Sequence, residues 1–228
     1  MNLLALDTST NACSVALSCR GTVYERHVVE AKAHTRLLIP MIRETLAEGG
    51  SNLAELDAIV LGNGPGSFIG MRIAASVAQG LAYGSNLSIV PVSSLAAVAA
   101  EAFEQTDVET ILVAQDAHMN EVYLQCFARG EGGIPLACGE TFLQPAARIE
   151  SLERSDVHAA GAGWHRYPQL LQLNADRVSR VIDVQFPRAS YLLAAGAALF
   201  REGATTAAAD LVPDYVRTRV ASAPADAT

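Results

Sequence analysis

Positive charge is scarce in this chain of 228 residues: 16 Lys and Arg face 24 Asp and Glu, for a net charge of -8. Direct gripping of RNA or DNA rests on clustered cations, so the balance speaks against a chain that holds nucleic acid by itself. It leaves open work on nucleic acid through a basic partner. Cysteine is sparse as well. Cys13, Cys19, Cys126 and Cys138 form no CxxC pair, and the first three sit in strand-like runs where a thiol acts as a small hydrophobe. No apolar run reaches the roughly 18 residues of a membrane span. The N-terminus meets Asp7 at once and has no charged n-region, so it reads as a first strand rather than a secretory signal. The cytoplasm is the expected compartment, with no membrane partner.

Half of the residues are hydrophobic, enough for a substantial core. The first half predicts strands over 3–7, 12–19 and 22–30, with Arg20-Gly21 as a tight turn. A helix follows from His34 to Glu48, ended by Gly49-Gly50, with Pro40 kinking it or marking its first turn. A short apolar strand over 57–62, a glycine-rich loop, a helix to about Tyr83, a strand over 88–92 and an alanine-rich helix from Ser93 complete this half. The second half opens with a strand over 111–116. Further expectations are a strand around 138–143, a weak helix over 145–154, then 157-VHAAGAGW-164, and a helix from about Ser190 to Phe200. A disordered tail is expected from Ala221.

Shifting the chain by 109 places 3-LLALDTSTNACSVALSCRG-21 over 112-LVAQDAHMNEVYLQCFARG-130. Leu3, Ala5, Asp7, Asn11, Arg20 and Gly21 meet Leu112, Ala114, Asp116, Asn120, Arg129 and Gly130. Both segments are an apolar strand ending in Asp, a turn, a second strand and Arg-Gly. We read an internal duplication of α/β halves, 1–105 and an abbreviated 106–220, with 221–228 as the tail.

A strand ending in Asp7 and turning through Thr8, Ser9 and Thr10 offers a carboxylate, hydroxyls and backbone N–H groups suited to Mg²⁺ and phosphate. The same residues also cap turns for purely structural reasons. At Asp116 the second hairpin lacks the glycines and hydroxyls of a second phosphate loop. An ATPase or kinase using Asp7 and Asp116 is one reading; a degenerate, vestigial nucleotide site with no cofactor is the other.

The loop 62-GNGPGSFIGMR-72 admits three readings. It lacks the Lys of a GxxxxGK[ST] phosphate loop. It lacks the glycine two before the serine that a GxSxG nucleophile elbow needs, because Pro65 stands there. As structure it fits: Gly62, Gly64, Pro65 and Gly66 turn the chain, and Ser67 caps the next helix. In that helix Gly70, Met71, Ala74, Ala75 and Ala78 keep the surface smooth, although a helical glycine costs ~1 kcal/mol against alanine. The preceding helix has a wide apolar face at Leu37, Leu38, Met41 and Ile42. Close approach of a partner helix explains both features; internal packing alone is the competing explanation.

No histidine pair spells HxxxH or HxH among His27, His34, His118, His158 and His165. His34 is expected to cap a helix or lie at the surface, and Trp164 to anchor packing. No Ser-His-Asp or HExxH arrangement is legible.

Together LALDTSTNACSVAL, HTRLLIPMI, GNGPGSFIGMR, 92-VSSL-95, DAHMNEVY, 161-GAGW-164 and 213-PDYVR-217 resemble the bacterial TsaB (YeaZ) family, over Met1 to about Arg219. Ile69 and His118 stand where that family is expected to have Thr and Arg. The resemblance implies the actin-like fold of sugar kinases and Hsp70 ATPases, with two ribonuclease-H-like halves and a degenerate nucleotide site. It implies a scaffold in the formation of N6-threonylcarbamoyladenosine at position 37 of tRNAs reading codons that start with A. The implied partners are the catalytic paralogue TsaD and the ATPase TsaE, with a homodimer when alone and tRNA met only through the complex. The paralogue's HxxxH metal pair falls here on Ser94 and Val98, which are poor metal ligands. A peptidase acting on TsaD is the older alternative.

Overall fold

The computed structural model describes residues 1–149 and 157–217. In the first half, β1 (Leu3–Asp7), β2 (Ala12–Cys19) and β3 (Thr22–Val29) run as an antiparallel meander, and β4 (Ala58–Gly62) and β5 (Ser88–Val92) add in parallel, giving the order β3-β2-β1-β4-β5. β1 and β4 are buried along their whole length, which is why they read as continuous apolar runs rather than alternating ones. Leu4, Leu6, Val15, Leu17, Ile59 and Leu61 are at most 1% exposed, and each contributes about 1.5–3 kcal/mol of transfer free energy.

The second half repeats this plan. β6 (Thr110–Asp116) pairs antiparallel with β7 (Glu121–Ala128), and β10 (Val157–Ala160) and β11 (Val178–Val181) add in parallel; β8 (Leu136–Ala137) and β9 (Phe142–Pro145) both pair with β7, and the order is β11-β10-β6-β7-β8. Read from the β8 edge, this matches the first sheet strand for strand, as the duplication predicts. The Arg-Gly match is local to sequence, however. Arg20 and Gly21 form the β2–β3 turn with φ of 50° and 80°, whereas Gly130, at φ -105°, enters a longer connection to β8 (Leu136–Ala137).

Helices α1 (His34–Glu48) and α2 (Phe68–Ser85) cover one face of the first sheet, around Leu6, Val15 and Ile59. Pro40 lies inside α1, past its first turn. The connecting helices cross between halves. α3 (Ser94–Glu104), first-half by chain order, packs Leu95, Val98, Ala99 and Phe103 on Ile111, Val113 and Phe127 of the second sheet. α6 (Leu193–Arg201) and the turn before it return, with Leu192 and Leu193, to Leu3, Ala5 and Ala16 of the first. The chain boundary near residue 105 is therefore not a packing boundary. Arg188 and Glu25 add an ion pair of 2.5 Å between the halves, and the Ser190 N–H donates to Glu25 at 3.0 Å.

Two expectations are corrected. The strand expected over 138–143 forms only at its end, where β9 begins at Phe142; Gly139 at φ +100° separates it from β8, which ends at Ala137. The helix expected over 145–154 is absent where described: Pro145 closes β9, 146–149 are not helical, and 150–154 lie outside the described residues, as does the tail from Ala221. The region 162–173 holds two short helices, α4 (Ala162–Arg166) and α5 (Pro168–Leu173), and Trp164 anchors packing as expected, buried among Leu112, Leu124 and Leu170. Among the described residues no helix is long and apolar enough to cross a membrane.

Candidate functional site

The glycine-rich loop is fastened to the first hairpin. The Ser67 N–H donates to the Ser9 carbonyl at 2.6 Å, and the Thr8 hydroxyl donates to the Gly70 carbonyl at 2.7 Å. Ser67 caps α2 as expected, its Oγ accepting from the Gly70 N–H at 3.2 Å. A Cβ on Gly70 would lie 2.0 Å from the Thr8 carbonyl oxygen, and one on Gly66 2.1 Å from that of Ser9. These glycines exist so that two backbones can touch. Gly62 ends β4 beside Asp7, and Gly64-Pro65, a cis peptide, brings the Gly64 carbonyl to the Ser94 N–H at 2.8 Å.

Asp7 is the buried centre of this joint, 1% exposed. Its Oδ1 accepts from the Ser9 N–H (2.8 Å) and Oγ (2.7 Å), and its Oδ2 accepts from the Ser94 Oγ at 2.6 Å. The Ser94 Oγ in turn accepts from the Gly64 N–H at 3.1 Å. Burial pushes the Asp7 carboxyl up to about 6, against the lowering effect of the Ser94 and Ser9 hydrogen bonds. Ser94 and Val98, at the places implied for a metal pair, are 1% and 0% exposed, the first engaged with Asp7 and the second in the apolar core.

Between the halves lies a cleft of about 650 Å³, with Ser9, Thr10, Lys32, Asp116, His118 and Arg166 in its lining. The two hairpin tips thus do face one cleft, but Asp7 and Thr8 stand behind it. Asp116 accepts from the Tyr167 hydroxyl at 2.7 Å and from the His118 N–H at 2.8 Å. Burial and the neighbouring carboxylate push the Tyr167 phenol up to about 12. His34 corrects another expectation. It is only 6% exposed, its side chain bonds the Thr10 backbone, and burial lowers its pKa. Ala33, not His34, occupies the N-cap position. Among the described residues no group of three His, Cys, Asp or Glu could hold a metal ion.

The expected interface residues are placed inward. Gly70, Met71, Ala74, Ala75 and Ala78 are buried in the chain's own core, with Ala74 and Ala78 at 0% exposure. Leu38, Met41 and Ile42 of α1 join them there, and Leu37 packs on the same core half-buried. These small and apolar side chains seat the two helices on the first sheet. The outward face of α2 carries other residues. Ser76, Gly80 and Gly84 follow one another at four-residue spacing and are exposed or open, with nothing within 4 Å of a Cβ built on either glycine. Beside them, Ile69 and Tyr83 are 69% and 85% exposed, and Ile39 of α1 is 44% exposed. Thr35, Ile69, Ile73, Ser76 and Val77 border a shallow groove of about 400 Å³. The sequence carried both four-residue stripes. An alanine-rich helix gives little contrast between its sides, so periodicity alone did not say which stripe faced out.

The segment after α6 straps this loop and helix. The Asp214 N–H donates to the Asn63 carbonyl (3.2 Å), Arg72 lies 3.7 Å over the Phe68 ring, and its Nε donates to the Tyr215 hydroxyl at 2.9 Å. Arg217 pairs with Glu121 at 2.6 Å. The contacts of Tyr167, Tyr215 and Ser94 were not legible in sequence, because their partners lie 51, 143 and 87 positions away.

Comparison with known proteins gives a consistent picture. Residues 28–225 match the family model described as TsaD, tRNA N6-adenosine threonylcarbamoyltransferase. The tRNA threonylcarbamoyladenosine biosynthesis protein TsaB of Haemophilus influenzae is 37% identical over 96% of this chain and 95% of its own length. The protein of the same description from Escherichia coli K12 is 36% identical over 97% and 96%. A Pseudomonas aeruginosa crystal structure, described as similar to peptidase YeaZ, superposes with a TM-score of 0.85 at 35% identity, covering 95% of this chain and 99% of that one.

Proposed function

The chain belongs to the TsaB (YeaZ) family, and from that premise we propose that it serves tRNA threonylcarbamoyladenosine biosynthesis as a non-catalytic docking subunit. Its partner in this reading is the TsaD-like catalytic paralogue, with a TsaE-like ATPase joining them in the cytoplasm. The observation that carries the reading is the outward face of α1 and α2, where exposed Ile39, Ile69 and Tyr83 and half-buried Ile73 and Val77 lie beside a stripe of Ser76, Gly80 and Gly84. Small residues let a second helix come close, and exposed aliphatic and aromatic side chains gain by being covered. A chain matched by the family model of the transferase itself has a homologous helix pair as a natural counterpart, and the same argument supports a homodimer when it is alone.

The site supports a structural rather than a catalytic role. Both Asp7 oxygens are engaged by the chain's own Ser9 and Ser94, so this carboxylate has a defined task without Mg²⁺ or phosphate. The reading includes no nucleotide turnover. tRNA is met through the complex, in keeping with a net charge of -8.

Size-exclusion chromatography of the chain mixed with its TsaD-like paralogue tests the proposal. One peak holding both proteins is expected. Separate elution at micromolar concentrations, or titratable hydrolysis of ATP by the chain alone, sinks it.

A further inference from the structure

The edge of the second sheet holds a feature that the docking role does not use. β7 and β8 pair with Phe127 opposite Ala137 and Ala128 opposite Leu136. The next rung in that register sets Cys126 opposite Cys138, and the Cys138 N–H donates to the Cys126 carbonyl at 2.8 Å. Residues directly opposite in an antiparallel pair put their side chains on the same face. Their Cα atoms lie about 5.5 Å apart when hydrogen-bonded, inside the span of about 4.4–6.8 Å that a disulfide bridges. None of the four cysteines is in a disulfide.

We propose that Cys126 and Cys138 form a thiol pair that closes to an intrachain disulfide by exchange with a small-molecule disulfide of the glutathione class.

Access divides the labour. Cys138 is exposed and Cys126 half-buried, so Cys138 meets the reagent and Cys126 resolves the adduct. The Cys138 thiolate attacks one sulfur of the glutathione disulfide, whose S–S bond breaks, and one glutathione thiolate leaves. The Cys126 thiolate then attacks the Cys138 sulfur and expels the second glutathione. Two protein thiols lose two electrons and two protons, and the reagent takes them up as two glutathione thiols. The closed bridge staples β8, a strand of two residues at the open edge of its sheet. The other two cysteines serve as an internal control. Cys13 and Cys19 are buried side chains of β2, and burial pushes the Cys13 thiol up to about 12, far from the thiolate state.

The test holds the full chain in glutathione buffers of increasing oxidised fraction, quenches with acid, counts thiols and digests with trypsin without reduction. Trypsin cuts after Arg129, between the two cysteines. The expected result is loss of two thiols of the four, a peptide pair joined through Cys126 and Cys138, and a higher melting temperature for the oxidised chain. Cys126→Ser should instead accumulate glutathione on Cys138. Four thiols persisting in the most oxidising buffer overturns the proposal. So does wild-type chain carrying glutathione on Cys138 while Cys126 stays titratable, or a Cys138 disulfide between two chains.

Discussion

Asp7 shows how one residue type can stand for catalysis in sequence and for architecture in space. Its folded pKa of about 6 lies above the ordinary 3.8 because burial disfavours the charge. The folded chain therefore keeps a proton that the unfolded chain has lost between about pH 4 and pH 6. Stability falls as pH rises through that window and stays lower above it. At ~1.4 kcal/mol per unit the loss is about 3 kcal/mol. Asp7→Asn removes this dependence. Urea denaturation from pH 4 to pH 7 should show the wild type losing stability relative to the variant by that amount, and parallel curves would refute the assignment. The helix glycines give a second residue-scale contrast. Gly70→Ala drives a Cβ into the Thr8 carbonyl at 2.0 Å and should destabilise by more than 2 kcal/mol, at the scale of ~1–3 kcal/mol or more for overpacking. Gly80→Ala meets open space and should stabilise by about 0.5–1 kcal/mol. Thermal melts of the two variants decide both.

At the scale of elements, α2 carries most of the argument. Ala74→Arg places an unpaired charge at a position of 0% exposure and should prevent folding, so it says nothing about a partner. Gly80→Arg and Ile69→Glu alter the outward side, where Ile69 is 69% exposed. Each should melt within a few degrees of wild type while losing co-purification with the paralogue; retained pairing in both would remove α2 from the interface. The central strands β1, β4 and β6 and the long helices were legible in sequence because burial on both sides leaves apolar runs, as in Leu3–Asp7, and because caps such as Ser67 punctuate them. The orientation of α2 was not legible, since alanine, glycine and serine contribute too little contrast to mark a buried side. Nor were α4, α5 and β11, which are 4 to 6 residues long and held in place by tertiary contacts rather than by local pattern. The cleft was half legible. Asp116 and Thr10 line it as the paired hairpins suggested, but Asp7 withdraws behind Ser9 and Ser94.

The whole molecule is an acidic, duplicated α/β body whose halves exchange helices α3 and α6. Exchange makes the halves one cooperative unit, so a fragment ending near residue 105 should not fold alone; its circular dichroism should lack a cooperative melt. Net charge sets the expectation for RNA. The isolated chain should give no gel shift with tRNA at physiological salt, and a sub-micromolar shift would contradict the assignment of tRNA contact to the complex. The most direct test of the account joins docking to function: threonylcarbamoyladenosine formation on unmodified tRNA, reconstituted from the TsaD-like paralogue, the TsaE-like ATPase and threonylcarbamoyl-adenylate, with this chain as wild type, Asp7→Asn or Gly80→Arg. The account predicts product with wild type and with Asp7→Asn, little with Gly80→Arg despite its intact fold, and none from this chain without the paralogue. Full product with Gly80→Arg, or any product from the chain alone, would contradict it.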